Sequence, residues 1–376
     1  MRKKTVNQNE SKLVGNGTFK PDYAIAPGAT ITEALEERDM SQRELALRLG
    51  MNEVMLSDIV RGKRPITAET ARGLELALGI PFQFWMNAES RYREHLARIQ
   101  EEKQFFEWIE WAKSFPFADM ARLGWVPKIP ATAPIARVRA LLSFLQVTSP
   151  KNWDAVYKDM NIAYRKTDAF KTHQADLGVW LRQGERMAQK IECAPYDKAR
   201  FEDALKQIRT LSKSLPTNFG QQIVDLSAQC GVAVVYVPAL KGSRASGATR
   251  WLSKDKAMIQ LSLRHKSDDH FWFTFFHEAA HILKHSKKEI LVELPSNEDP
   301  KEIEANNWSA NFLIPKAEWS AFTERATFPP KVIVGFANQV GIAPGIVVGR
   351  LQREKRLEFS ARNELKRKLD FSPSSK

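Results

Sequence analysis

His277, Glu278 and His281 form the pattern His-Glu-x-x-His inside the apolar, aromatic stretch Phe271–His285. On a helix, residues four apart share a face, so both imidazoles can address one metal ion. Glu278 can reach the open side of that ion and take a proton from a water held there. A catalytic zinc normally has three protein ligands, and two carboxylates compete for the third place in the next helical segment, Pro300–Pro315. Glu304 begins the series Glu304, Trp308, Phe312 and so lies on an apolar stripe, whereas Glu302 falls nearer the solvent side. A carboxylate on an apolar face needs a partner, and a metal is a suitable one. The pattern therefore favours Glu304. His285 is four residues beyond His281, but successive i+4 positions drift around the helix, which gives it a supporting place rather than a ligand's.

These residues need a scaffold. Asp268 and Asp269 are N-cap candidates for the helix that carries the histidines. Ahead of it, 231–237, 247–252 and 256–262 read as strands, preceded by a helix over 221–229. They predict a small sheet on which the motif helix packs.

Residues 277–285, His-Glu-Ala-Ala-His-Ile-Leu-Lys-His, are followed at 304–315 by Glu-Ala-Asn-Asn-Trp-Ser-Ala-Asn-Phe-Leu-Ile-Pro. Together they resemble the ImmA/IrrE family of zinc metallopeptidases, over roughly residues 217–350. The resemblance implies a gluzincin-like domain, Zn2+ as cofactor, His277, His281 and Glu304 as ligands, and Glu278 as the catalytic residue. It also implies an endopeptidase whose substrate is often a transcriptional repressor. Trp308 and Ser309 stand where the family more often has Phe-Ala, which leaves the ligands untouched.

The N-terminal part carries a second pattern. A helix is expected over 30–38 and another over 42–49, capped by Ser41 and stopped by Gly50. A third runs from Asn52 to Arg61 and ends at Gly62. Leu45, Leu49, Met51, Leu56 and Ile59 would share its core. Two short helices joined by a turn with Gly make a helix-turn-helix. Tyr23-Ala-Ile-Ala-Pro-Gly-Ala-Thr-Ile31, Gln42-x-x-Leu-Ala46, Ile59-x-x-Gly-Lys63 and Ile66-Thr-x-Glu-Thr70 resemble the XRE type, and more narrowly the HigA-like antitoxins. That implies a five-helix, lambda-repressor-like domain and leaves a toxin partner open. Such a unit lays its second helix in the major groove. The expected DNA-facing residues are Asn52, Glu53, Val54, Ser57 and Asp58, with Gln42, Arg43, Arg61, Lys63 and Arg64 at the margins. One unit reads few base pairs, so a homodimer on double-stranded operator DNA is expected.

The chain has 376 residues and a net charge of +13. Residues 1–104 hold 16 basic against 15 acidic side chains, and 350–376 hold 9 against 4. The excess thus lies mostly outside the helix-turn-helix, and charge alone argues little for DNA. No apolar run is long enough for a membrane span, and the N-terminus does not read as a secretory signal. Cys193 and Cys230 form no C-x-x-C pair, which suits a reduced, cytoplasmic setting.

The expected architecture is mainly α with a small sheet, an α+β class. Residues 1–18 are a flexible lead-in, 19–104 the helix-turn-helix domain, 105–216 a helical connector, 217–350 the peptidase domain and 351–376 a charged, solvated helical tail. Within 332–350, two short helices split by Gly341–Pro344 look like a second helix-turn-helix whose simpler role is to close the domain. A DNA-binding domain fused to a peptidase suggests a switch that cleaves a repressor or itself in a stress, phage or toxin–antitoxin setting. A HigA-like repressor with a catalytically silent metal domain is the alternative.

Overall fold

The structure is a computed structural model that describes residues 25–156, 174–241, 245–262, 264, 266–286, 290–292 and 299–369. The predicted lead-in and the last residues of the predicted tail lie outside them. The chain divides into two units, Met1–Trp108 and Ile109–Lys376.

The first unit has five helices among its described residues: α1 (Gly28–Glu36), α2 (Gln42–Arg48), α3 (Glu53–Val60), α4 (Ala68–Leu78) and α5 (Phe82–Glu107). The starts of α2, α3 and α4 are capped, by Ser41 on the Glu44 amide, Asn52 on the Met55 amide and Thr67 on the Thr70 amide. Gly50 has φ +66°, a left-handed turn that suits glycine and lets α3 cross α2. Ile31, Leu45, Leu56, Leu74 and Trp85 fill the core. Gly28 is required by close packing, because a Cβ there would run into the Val60 carbonyl. The fifth helix runs to Glu107, past the predicted boundary at 104.

The second unit is built on a four-stranded sheet. Its strands are β1 (Val232–Tyr236), β2 (Gly247–Ser253), β3 (Lys256–Leu261) and β4 (Ile290–Val292), in the order β1-β3-β2-β4. β1 is parallel to β3, and the other pairs are antiparallel. Alternate side chains go to opposite faces, as the pleat requires. Val232, Val234, Ala257 and Ile259 enter one core, and Ala233, Val235, Ala248 and Met258 enter another.

The second of these cores is supplied by part of the stretch read as a connector. Helices α6 (Ile109–Lys113), α7 (Phe117–Arg122), α8 (Pro134–Leu145), α9 (Pro150–Val156) and α10 (Gln174–Gln189) bring Met120, Leu141, Phe144, Trp153 and Trp180 to the sheet. From Ile109 on they form a layer of the same unit, packed on its sheet. The first core is covered by α11 (Lys198–Ser214), α12 (Phe219–Ala228), α13 (Asp268–Lys284), α14 (Pro300–Leu313), α15 (Lys316–Thr323), α16 (Pro330–Val340) and α17 (Pro344–Arg353). Ile346, Val347, Val348 and Leu351 are buried, so α16 and α17 close the domain.

The tail departs from expectation. After Arg353 the chain leaves the helix, makes a short 3-10 turn at Asn363–Leu365 and pairs Lys368 with Ser267. The reason is electrostatic. Asp268 and Asp269 lie buried in the first turn of α13, and Ser267, not either aspartate, is the N-cap. Arg367 Nε lies 3.1 Å from Asp268 Oδ2, and Lys366 Nζ lies 2.7 Å from Asp269 Oδ2. Buried carboxylates need such partners, so the tail's cations are drawn in rather than solvated. No single helix among the described residues is long and apolar enough to cross a membrane.

Candidate metal centre and nucleic-acid interface

The helix α13 is buried along nearly its whole length, which places its polar residues in a dry environment. His277 Nε2 and His281 Nε2 face each other at 2.9 Å. Glu302, from α14, joins them with Oε2 3.1 Å from His277 Nε2 and Oε1 3.4 Å from His281 Nε2. The donor atoms of these three buried residues all lie within 4.8 Å of one another. A tetrahedral ion with ligands at roughly 2.0–2.1 Å spaces its donors about 3.3 Å apart, so the set fits a zinc-sized cation. Burial, then the His277, His285 and Lys301 charges, push His281 down to about 2. It is therefore a neutral imidazole, the form that binds metal.

That depression has a consequence for stability. The unfolded chain takes up a proton at His281 near the ordinary 6.5, and the folded chain does not. Stability is thus intact above that value and falls as pH drops below it, by up to about 1.4 kcal/mol per pH unit for one such group. Thermal unfolding of the metal-free protein should show a transition that moves down between pH 7 and pH 5. A transition indifferent to pH over that range would contradict the burial of a neutral His281.

Glu304 is not brought to the histidine pair. Its side chain is 55% exposed, and its nearest histidine is His285, at 3.4 Å from Nε2. Glu302, by contrast, is 4% exposed. The inward stripe of α14 is Glu302, Ala305, Ser309 and Leu313. Small residues mark the seam because α13 and α14 approach closely there, with Ser309 Oγ donating to the Phe273 carbonyl at 3.0 Å. Trp308 and Phe312 stack on each other at 4.7 Å, half-buried at its margin. Taking the large apolar residues as the inward face thus pointed to the glutamate that lies outside the trio.

Glu278 is 0% exposed and accepts a hydrogen bond from Thr249 Oγ1 on β2 at 2.6 Å. Gly247 on the same strand leaves room for it, since a Cβ there would meet the carboxylate. On the far side of His277, Nδ1 lies 3.1 Å from Asn306 Oδ1. The sequence reading missed Thr249, Gly247 and Asn306. The spacing of Asn306, one turn after Glu302, was the available signal. A cavity of about 710 Å³, with Phe273, Asn311, Ile346 and Arg353 in its wall, meets this group through Asn306 alone, and none of His277, Glu278, His281 and Glu302 lines it.

In the first unit, Arg43, Asn52, Glu53, Arg61, Lys63 and Arg64 are exposed, and Gln42, Ser57 and Asp58 are half-buried. Val54 is 68% exposed, an apolar side chain displayed near the start of α3. Some polar groups are already engaged. Asn52 Oδ1 accepts from the Met55 amide at 2.7 Å, and Arg61 donates to Ser57 Oγ at 2.7 Å. The Asp58 carbonyl accepts from the Lys63 and Arg64 amides, which folds this basic turn against α3.

Comparison with known proteins finds matches in both parts of the chain. Residues 31–85 match the family model described as Helix-turn-helix, and 231–327 match a peptidase model described as IrrE N-terminal-like domain. Among solved structures, the chain is similar to an addiction module antidote protein of a HigA family from Coxiella burnetii. The two share 32% identity over 22% of this chain and 92% of that chain, with a TM-score of 0.21. No curated protein matches. The class is thus a helix-turn-helix protein with a peptidase-family domain. The chain joins an XRE-type helix-turn-helix to an ImmA/IrrE-like domain.

Proposed function

We propose that the protein is a DNA-binding transcriptional regulator with a zinc-dependent endopeptidase on the same chain. The observation that carries this is the buried trio His277, His281 and Glu302, with donor atoms 2.9, 3.1 and 3.4 Å apart. Bound Zn2+ would supply an acidified water and an electrophile for a peptide carbonyl. His277 and His281 present their Nε2 atoms, and Glu302 adds the negative charge. Glu278 takes the water proton and returns it to the leaving amine, so peptide and water become a carboxylic acid and an amine.

In this reading the helix-turn-helix would carry the activity to an operator, as a homodimer. The substrate would be a repressor or the chain itself, in a stress, phage or toxin–antitoxin-type switch. Two free cysteines suit a reducing cytoplasm. One observation favours a second reading. Glu278 is fully buried and held by Thr249, as in a silent domain that acts as sensor or scaffold of a HigA-like repressor.

The test is intact-mass spectrometry of the zinc-loaded chain, alone and with DNA from upstream of its own gene. Fragments that appear with zinc and vanish with chelator support the peptidase. Specific DNA binding with no cleavage of the chain or of neighbouring repressors would favour the silent domain.

A further inference from the structure

We propose that His285 and Glu304 form a positioning relay behind His281. The inference rests on the metal centre proposed above and concerns groups that do not touch the ion. His281 Nδ1 lies 2.8 Å from His285 Nδ1. Between two imidazole nitrogens at that distance, one carries the proton and the other accepts it. The direction follows from the other end of the ring. With an ion held by the trio, His281 Nε2 offers it a lone pair, so the proton then sits on Nδ1 and is donated to His285. His285 then carries its own proton on Nε2, which lies 3.4 Å from Glu304 Oε2. The chain of donors runs outward from His281 through His285 to Glu304.

His277 is held by the same logic from a different residue. Asn306 Oδ1 can only accept, so the His277 proton is on Nδ1 and its Nε2 is bare as well. Both imidazoles are thereby set in the tautomer that points a lone pair at one place. The local backbone makes this possible. His285 is the C-cap of α13, with extended φ −109° and ψ 169°, so its ring leaves the helical drift and lies beside His281, with centroids 4.9 Å apart. Its side chain is 5% exposed, whereas the Glu304 contact is long and open to solvent. His285 therefore carries most of the effect, and Glu304 less.

Groups that orient a metal-bound histidine typically change metal affinity by about 10–100-fold when removed. His285→Ala should weaken zinc binding, measured by competition with a chelating dye, by about that factor while keeping one ion per chain. His285→Asn places a carbonyl oxygen near the lost Nδ1 and should restore most of the affinity. Glu304→Ala should lose less than about tenfold, again with stoichiometry intact. Rescue by His285→Asn, which supplies an acceptor but no imidazole, is the readout that a packing role would not give. Unchanged affinity in a folded His285→Ala protein, or no rescue in a folded His285→Asn protein, would overturn the relay. A wild type that binds no zinc would overturn the metal centre first, and the relay with it.

Discussion

Replacing Glu302 with alanine removes stoichiometric zinc, whereas replacing Glu304 leaves about one ion per chain. Elemental analysis of the purified, metal-replete variants reads both outcomes. Glu302 spans the two histidines, with Oε2 3.1 Å from one and Oε1 3.4 Å from the other. Its carboxylate is the only anion in the trio and offsets part of the ion's charge in a dry pocket. Without it, two neutral imidazoles remain, and the loss should exceed the roughly 10–100-fold typical of groups that merely support a ligand. Glu304 reaches His285 rather than the centre, so its loss shows in affinity, not in stoichiometry. Zinc retained in Glu302→Ala and lost in Glu304→Ala would contradict the site described here.

Glu278→Gln should keep the fold and the zinc and lower peptide hydrolysis by about 10²–10⁴-fold, the usual contribution of a positioned proton carrier. The amide has nearly the same shape and can still accept from Thr249 Oγ1. It cannot take a proton from water. Because the carboxylate is fully buried, the neutral variant should melt at the same temperature as the wild type or somewhat higher. Turnover assayed on zinc-loaded protein, beside a melting curve, separates the two effects. Full activity in the variant would remove Glu278 from the chemistry.

Parts of this molecule are legible from sequence because their signals are local. His277 and His281 are four apart, and a helix turns that spacing into one shared face. Ser41, Gly50 and Asn52 punctuate α2 and α3 through cap and turn chemistry confined to a few residues. The third member of the trio was harder, because the face of α14 that meets α13 depends on how closely the helices approach. Ala305 and Ser309 set that approach, while Trp308 and Phe312 dominated the apolar pattern. The tail misled for a similar reason. Lys366 and Arg367 look solvated until the buried Asp268 and Asp269 are placed beside them. Nor does a helical rhythm over 109–189 reveal that those helices cover the second face of the sheet, since that is settled by contacts distant in sequence.

Anomalous diffraction at the zinc edge, from crystals of zinc-loaded protein, tests the central claim most directly. One strong peak is expected between His277 Nε2, His281 Nε2 and the Glu302 carboxylate, at about 2.0–2.2 Å from each. A peak bound by Glu304 in place of Glu302, or no peak in this pocket, would contradict the account.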